Sequence, residues 1–535
     1  MVTRSLALGL MAGALLPVCA YAQSNTPAPI EQAQLSDLNA WTVGALSRSN
    51  GALPSDIWAR SDPAFLALAF DRLPAVYESP AMLALARRVL LSGAEAPRGG
   101  DADAAARERF EALGKMGAAD ELATMASGAG SAANDVQIAQ YAAQAELARG
   151  ARVQACNRGR AATVADQAPP FLLRLRAYCA AVGGDRAAAD LALELARAQN
   201  AADAWYTGAV AAAGGAPAAR PPAARYDNSL AVALSVAGQL RPGPNPLANS
   251  STLALVALAR NNEAPQPQRA QAAALAFRRG ALNAADTRTI LAATPAEITS
   301  ALPPIVPALR QVTAAPGSME AATAIAGVLR QATAYADFAA AARFFRTDIA
   351  ALQSAPDAAS AVLFARAALA AGDAQLGQRL VASARQAGAD EMVLAPLDAA
   401  LVALTGARND QGAMAMQRRI DRAAGQQARA AARDVTMLAA LGAPMDGAVQ
   451  TFLLANTPQG GARADSGAML ALASSVERGA TGEGALLAVI AAGEGGPARL
   501  DAESVERIIR ALRGLRLDDE ARRVAAEAIL AGPPG

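Results

Sequence analysis

The side chains that most often carry catalysis or bind metals are scarce in this chain. Its 535 residues contain no histidine and three cysteines, Cys19, Cys156 and Cys179. Without imidazole there is no histidine general base, no serine–histidine triad and no histidine metal ligand. Cys19 lies in a segment that reads as an export signal, and the two remaining thiolates alone do not complete a zinc site. We therefore expect no catalytic residue, no bound metal and no cofactor.

Two glycine-containing segments lack residues that a nucleotide-binding loop needs. Residues 482–484 (Gly-Glu-Gly) begin like a dinucleotide-binding loop, but Leu487 stands in the third glycine position and no predicted strand precedes them. Residues 114–116 (Gly-Lys-Met) have methionine where a phosphate-binding loop has serine or threonine. Neither segment predicts nucleotide binding.

Paired carboxylates are the remaining catalytic possibility. Spacing along the sequence does not exclude glycoside hydrolysis, which uses two carboxyl groups beside the scissile bond. That chemistry usually takes place in a cleft lined with aromatic residues, whereas aromatic residues make up 4% of this chain and only three are tryptophan. The sequence favours a protein that is not an enzyme. The alternative is an envelope enzyme that acts on glycans through carboxylates on a helical scaffold.

The first 22 residues have the pattern of a secretory signal. A charged start precedes an apolar run over residues 6–16, and residues 20–22 (Ala-Tyr-Ala) fit a cleavage site. A lipoprotein signal ending at Cys19 is the alternative, but bulky Val18 precedes that cysteine. We predict cleavage after Ala22 and a periplasmic protein, with an outer-membrane-associated or secreted protein as the alternatives. No later stretch reaches about 18 apolar residues, so the mature chain has no predicted membrane span.

The composition predicts an all-α protein and argues against nucleic acid as a partner. Hydrophobic residues make up 53% of the chain, and most of them are alanine, the strongest helix former. The net charge of +1 argues against nucleic acid as a partner. We expect protein partners of the cell envelope, and the sequence leaves open both their identity and the oligomeric state of this protein.

A spacing of 34 residues between glycines predicts how the helices are arranged. Gly150 and Gly184 are 34 residues apart, as are Gly372 and Gly406. This period is typical of an α-solenoid, in which helical hairpins stack in a row and each buries its apolar face against the next. We therefore predict an elongated α-solenoid in two or three sub-arrays.

Proline- and glycine-rich stretches divide the predicted arrays, because neither residue favours the interior of a helix. The predicted organisation is a signal peptide (1–22), a flexible leader (23–35), an N-terminal helical-hairpin array (36–213), a Pro/Gly-rich break (214–248), a middle helical segment (249–356) and a C-terminal helical-hairpin array (357–535).

Residues 175–199 resemble a tetratricopeptide repeat. Gly184 and Asp185 stand where that repeat turns, and Ala189, Leu193 and Ala196 fit its second helix. Residues 361–384 match similarly, and residues 508–528 match in part. The resemblance implies a partner-binding groove on the concave side of the first helices. The residues that it places in this groove are Gln137, Gln140, Gln144, Arg174, Tyr178 and Arg366.

The broader layout resembles a group of exported, alanine-rich bacterial helical-repeat proteins that have no assigned activity. The segments that carry this resemblance are residues 53–58, 81–91, 274–282 and 503–532. Together these features predict a non-enzymatic scaffold or adaptor of the bacterial envelope. A solenoid that merely spans distance is a further possibility.

The two cysteines of the mature chain are predicted to form a disulfide bond. In the repeat register, Cys156 falls in the second helix of one hairpin and Cys179 in the first helix of the next, so the two helices should be packed neighbours. An exported protein folds where such bonds form. Two buried free thiols are the alternative.

Overall fold

The computed structural model describes residues 39–162, 168–216, 220–298, 302–407, 409–423, 425 and 427–532. Over these residues the protein is all-α, as predicted, with 27 α-helices and no β-strand. The predicted signal peptide (1–22) and leader (23–35) lie outside the described residues.

Nine helices lie in the predicted N-terminal array. They are α1 (Pro63–Asp71), α2 (Pro80–Leu91), α3 (Ala102–Lys115), α4 (Ala119–Gly128), α5 (Val136–Ala148), α6 (Arg152–Ala161), α7 (Pro170–Val182), α8 (Arg186–Ala198) and α9 (Ala204–Ala213). Short 3₁₀ helices at Arg48–Asn50 and Gly130–Asn134 precede α1 and α5.

The central part of the chain forms eight helices. They are α10 (Ser229–Ala237), α11 (Thr252–Arg260), α12 (Gln266–Arg278), α13 (Ala284–Ala292), α14 (Ile305–Ala314), α15 (Met319–Gln331), α16 (Tyr335–Phe344) and α17 (Arg346–Ala351). Helix α10 lies inside the predicted Pro/Gly-rich break. It forms because residues 229–237 contain neither proline nor glycine and because Asn228 accepts a hydrogen bond from the Ala231 N–H (2.9 Å).

Ten helices complete the chain. They are α18 (Ala358–Ala370), α19 (Ala374–Gln386), α20 (Glu391–Thr405), α21 (Asp410–Asp421), α22 (Gln427–Ala440), α23 (Gly447–Ala455), α24 (Ser466–Arg478), α25 (Thr481–Ala492), α26 (Ala502–Gly514) and α27 (Asp518–Ala531). A 3₁₀ helix at Gly496–Ala498 precedes α26.

The glycines that predicted the hairpins lie in turns between paired helices. Gly184 joins α7 to α8 with a φ of +80°, and Gly372 joins α18 to α19 with a φ of +77°. Residues with a side chain rarely adopt such values, so glycine is needed at both turns. Gly150 and Gly406 occupy the turns between α5 and α6 and between α20 and α21. A tetratricopeptide arrangement of these hairpins stays a prediction.

The helices bury two large hydrophobic cores. One core takes its residues from two distant parts of the chain, 40–145 and 361–530. The other core extends from residue 119 to residue 376 without interruption at the Pro/Gly-rich segment 214–248. The predicted N-terminal and C-terminal arrays therefore share a core.

Helices near the two ends of the described chain pack against each other, with α2 in contact with both α25 and α27, which differs from the elongated array that we expected. Trp58 is completely buried, and a Cβ atom on Gly482 of α25 would lie 2.5 Å from its indole ring. Backbone hydrogen bonds join the Gly482 N–H to the Ile57 carbonyl (3.2 Å) and the Glu78 N–H to the Glu494 carbonyl (2.9 Å). The apolar faces of the end helices thus cover each other in place of polar end caps.

Candidate functional site: a groove centred on Arg260

A polar recess consists of two adjoining cavities of about 520 and 550 Å³. Ala151, Arg260 and Asn262 line both cavities, so the two form one groove, which we call the Arg260 groove. The first cavity is also lined by Leu147, Gly150, Arg152, Val153, Gln154, Tyr178, Ala233, Val236, Ala237, Ala257, Asn261 and Glu263. The second is also lined by Asp120, Arg149, Arg269, Asp286, Thr289, Ile290 and Ala293.

Turns between helices supply much of the wall of the groove. The turn at Gly150 connects α5 to α6, and residues 261–265 connect α11 to α12. Helix α11 starts where Ser251 accepts a hydrogen bond from the Ala254 N–H (3.2 Å), and it ends at Arg260. The guanidinium of Arg260 therefore extends from the last turn of a helix, where cations interact favourably with the helix dipole.

Arg260 holds two carboxylates on one side of the groove. Its Nη1 and Nη2 groups donate to both carboxylate oxygens of Asp120, at 3.0 and 2.7 Å, and Nη2 also donates to Asp286 at 3.3 Å. Arg149 donates to the same Asp120 carboxylate at 3.0 Å. The hydrogen bonds from Arg260 hold the pKa of Asp120 below its ordinary value. This carboxylate therefore stays ionised at neutral pH.

A disulfide bond joins two helices that line the first cavity. Cys156 of α6 is bonded to Cys179 of α7, as predicted. Tyr178, the neighbour of Cys179, is buried at the first cavity, and burial raises the pKa of its hydroxyl group. The disulfide thus ties the helix that carries Arg152 and Val153 to the helix that carries Tyr178.

The disulfide gives a direct expectation for peptide mapping. Trypsin cleaves after arginine, so the unreduced protein should yield residues 153–158 joined to residues 177–186 as one species, and reduction should separate the two peptides. Mass spectrometry of the protein, alkylated before digestion, measures this. Recovery of both peptides in the alkylated, unlinked form would contradict the bond.

The six residues predicted to line one partner-binding groove lie at separate places. Tyr178 lines the Arg260 groove. Gln137 is half-buried and donates to Glu111 at 3.0 Å, and Gln140 and Gln144 are half-buried on the same helix, α5. Their role in partner binding stays a prediction.

The two predicted groove arginines make contacts within the fold. Arg174 donates to the Ala201 carbonyl, and its guanidinium lies 5.9 Å from the centre of the Tyr206 ring. Arg366 donates twice to the Leu530 carbonyl, at 2.7 and 3.2 Å, and its guanidinium lies 4.4 Å from the centre of the Phe338 ring. These contacts stabilise helix packing, and neither arginine lies in the Arg260 groove.

Outside the groove, three carboxylates form a cluster that a lysine side chain partly neutralises. Asp71, Glu108 and Glu111 lie close enough to hold a metal ion. The ammonium group of Lys115, the one lysine of the sequence, lies 2.9 Å from Glu111 and 3.4 Å from Asp71. The lysine neutralises part of this acidic cluster, so we assign it no metal.

Sequence reasoning missed most of the Arg260 groove. Asp120 and Arg260 are 140 residues apart in sequence, and no spacing rule brings them together. One local signal was present in the polar run of residues 261–263 (Asn-Asn-Glu), which directly follows the apolar helix α11. A polar turn between two buried helices marks an exposed connection that can contribute to a site.

In the part of the chain that the structure describes, no helix is both long enough and apolar enough to span a bilayer. No protein-family model, curated protein or solved structure matches this chain.

Proposed function

We propose that this protein is a non-enzymatic scaffold or adaptor of the bacterial cell envelope that binds partner proteins in the Arg260 groove. The observation that carries the proposal is the groove itself. Its first cavity offers apolar side chains such as Val153 and Val236, and its second offers arginine and asparagine side chains. A surface of this mixed kind suits an extended polypeptide, whose side chains and backbone need apolar and polar contacts in alternation.

The charges of the groove support binding rather than glycan hydrolysis. Asp120 and Asp286 share one guanidinium, that of Arg260. A glycosidase needs one carboxyl group whose pKa is raised, so that it can donate a proton. The pKa of Asp120 is instead lowered. The residues that line the groove include one aromatic side chain, that of Tyr178, where a sugar cleft would use several.

The proposed location is the periplasm. The disulfide between Cys156 and Cys179 supports this, because such bonds persist in oxidising compartments and are rare in the reducing cytosol. The sequence pattern of residues 1–22 supports export independently.

Site-specific photocrosslinking in the producing cells tests the proposal. A photoreactive amino acid replaces Val153, which is 60% exposed and lines the first cavity. The matched control position is Leu191 on α8, which is 63% exposed and lies outside the groove. We expect a discrete crosslinked protein adduct from position 153 and none of the same mass from position 191.

Either of two results would overturn the proposed function. One is the absence of an adduct at position 153 when the protein is produced at its normal level and exported. The other is the same adduct from both positions, which would show contact that does not depend on the groove.

A further inference from the structure

Arg269 is a buried cation that opens onto the second cavity of the groove. Its side chain is 9% exposed, and it lines the cavity beside Asn262 and Ile290. Its Nη2 group donates to the side-chain oxygen of Asn262 at 2.8 Å, its Nη1 group to that of Gln266 at 2.9 Å, and its Nε group to the Ala259 carbonyl at 3.3 Å. All three acceptors are neutral.

The charge of Arg269 has no counter-ion among the described residues. Burial lowers the pKa of its guanidinium, and no carboxylate offsets that change. The nearby carboxylates of the cavity, Asp120 and Asp286, are bound to Arg260 instead. Buried charges in proteins are normally paired.

A second buried arginine shows how a cation is held for purely structural reasons. Arg109 is completely buried, and all five of its N–H groups donate to backbone carbonyls. Arg269 donates with three of its five N–H groups. One N–H on Nη1 and one on Nη2 therefore have no acceptor in the described part of the chain. These donors belong to a side chain that borders a cavity of about 550 Å³.

We propose that Arg269 binds a carboxylate of a partner polypeptide that lies in the Arg260 groove. The inference rests on the proposed function and names the chemical group of the partner that the groove recognises. A guanidinium with a free N–H on each terminal nitrogen forms short, charge-assisted hydrogen bonds to a carboxylate. The groove favours an anion overall, since four arginines line it against three carboxylates.

The lining of the two cavities also indicates which type of residue lies next to that carboxylate in the partner. The first cavity adjoins the second at Ala151 and Asn262, and its lining includes Val236 and Ala237. An acidic residue at Arg269 would therefore have an apolar residue near it along the partner. The carboxylate can belong to an aspartate or glutamate side chain or to a free carboxyl terminus.

Fluorescence anisotropy with three labelled heptapeptides tests the proposal on the purified, unreduced protein. One peptide carries two glutamates and an amidated end. The second has glutamine in their place and a free carboxyl terminus, and the third has glutamine and an amidated end. The wild-type protein should bind one or both carboxylate peptides about tenfold or more tightly than the third, and the stronger of the two identifies the source of the carboxylate.

Variants assign the effect to Arg269. Arg269→Gln should weaken binding of the preferred peptide about tenfold or more, whereas Arg269→Lys should retain part of it. Arg176→Gln, at an exposed arginine of α7 outside the groove, should bind as the wild type does. Circular dichroism checks that each variant is folded, and the wild-type peptide comparison holds even where a variant is not.

Equal binding of all three peptides by the wild type, or no binding of any, would overturn the carboxylate proposal. Unchanged binding by folded Arg269→Gln would overturn it as well. In each case the adduct at position 153 still decides whether the groove binds a partner, so failure here is distinct from failure of the proposed function.

Discussion

Arg109→Met is expected to lower the free energy of unfolding by about 4 kcal/mol or more. Arg109 lies on α3 and is completely buried. Its guanidinium joins α3 to two other segments: residues 40–43, which precede α1, and the end of α2. The accepting carbonyls, with their distances, are those of Leu90 (2.9 Å), Ser92 (2.9 Å), Ala40 (3.0 Å), Val43 (3.1 Å) and Trp41 (3.2 Å).

The expected loss is large because the substitution leaves several buried acceptors without a donor. Each unsatisfied buried polar group costs about 1–3 kcal/mol, whereas a satisfied hydrogen bond adds only about 1 kcal/mol. Burial of the cation has a cost of its own and lowers the pKa of Arg109 to about 10, so removing the charge recovers part of the loss. Arg109→Lys should also be destabilising, since an ammonium group has three N–H donors and cannot reach five carbonyls.

Urea unfolding followed by circular dichroism measures the change in the free energy of unfolding. The control is Arg107→Met, the same change on the same helix, at a half-exposed arginine paired with Asp135 at 3.0 Å. An exposed ion pair of this kind is worth about 1 kcal/mol or less. If the two variants differ by less than about 1 kcal/mol, the five hydrogen bonds of Arg109 do not stabilise the fold as argued.

The elements of this fold could be predicted because their signals are local. Asp62 and Ser79 are each followed by a proline, a pattern typical of a helix start, and both side chains accept capping hydrogen bonds, from the backbone N–H groups of Phe65 and Met82. The turn at Gly184 and the disulfide followed from spacing within one or two hairpins. In each case the physical cause lies within a few tens of residues.

What the sequence did not predict depends on contacts between distant segments. Arg269 looks like any other arginine of a polar helix start, and only the packing of α11, α12 and α13 makes it a buried cation beside a cavity. The contact between Trp58 and Gly482 likewise joins residues far apart in the chain. Hydrophobic periodicity reports which face of a helix is buried, but it carries no information on which helix covers it.

Glu527→Gln is expected to stabilise the protein by about 3 kcal/mol at pH 8 and to have little effect at pH 4.5. Glu527 lies on α27 and is buried where the last helix meets the second. Its Oε2 atom accepts a hydrogen bond from the Ala81 N–H (2.9 Å). The other, Oε1, has no hydrogen-bond partner among the described residues.

Burial raises the pKa of Glu527 to about 7, although the hydrogen bonds from Ser79 and Ala81 and the charge of Arg343 on α16 act in the opposite direction. Tyr335, also on α16, is the other titratable group whose electrostatic interaction with Glu527 is resolved. In the unfolded chain the carboxyl group has its ordinary pKa of 4.5. Between pH 4.5 and 7 the folded protein therefore holds a proton that the unfolded chain releases, and this group destabilises the fold progressively as the pH rises through that window.

Glutamine keeps the size of the side chain and removes the charge, so the variant should lack this part of the pH dependence. Asp434, whose pKa burial raises to about 6, remains in both proteins and cancels from the comparison. The measurement is the difference in unfolding free energy between Glu527→Gln and wild type at several values between pH 4.5 and 8. The control is Glu503→Gln, at an exposed glutamate of α26 whose ion pair with Arg507 is also exposed.

A difference that grows with pH for Glu527→Gln and stays near zero for Glu503→Gln would show that the contact between α2 and α27 depends on a protonated carboxyl group. A constant difference across the range would mean that Glu527 ionises with an ordinary pKa, and hence that water reaches the contact. Glu527 would then be a solvated carboxylate at the edge of the contact. The shared core of residues 40–145 and 361–530 would be stabilised there by its apolar side chains alone.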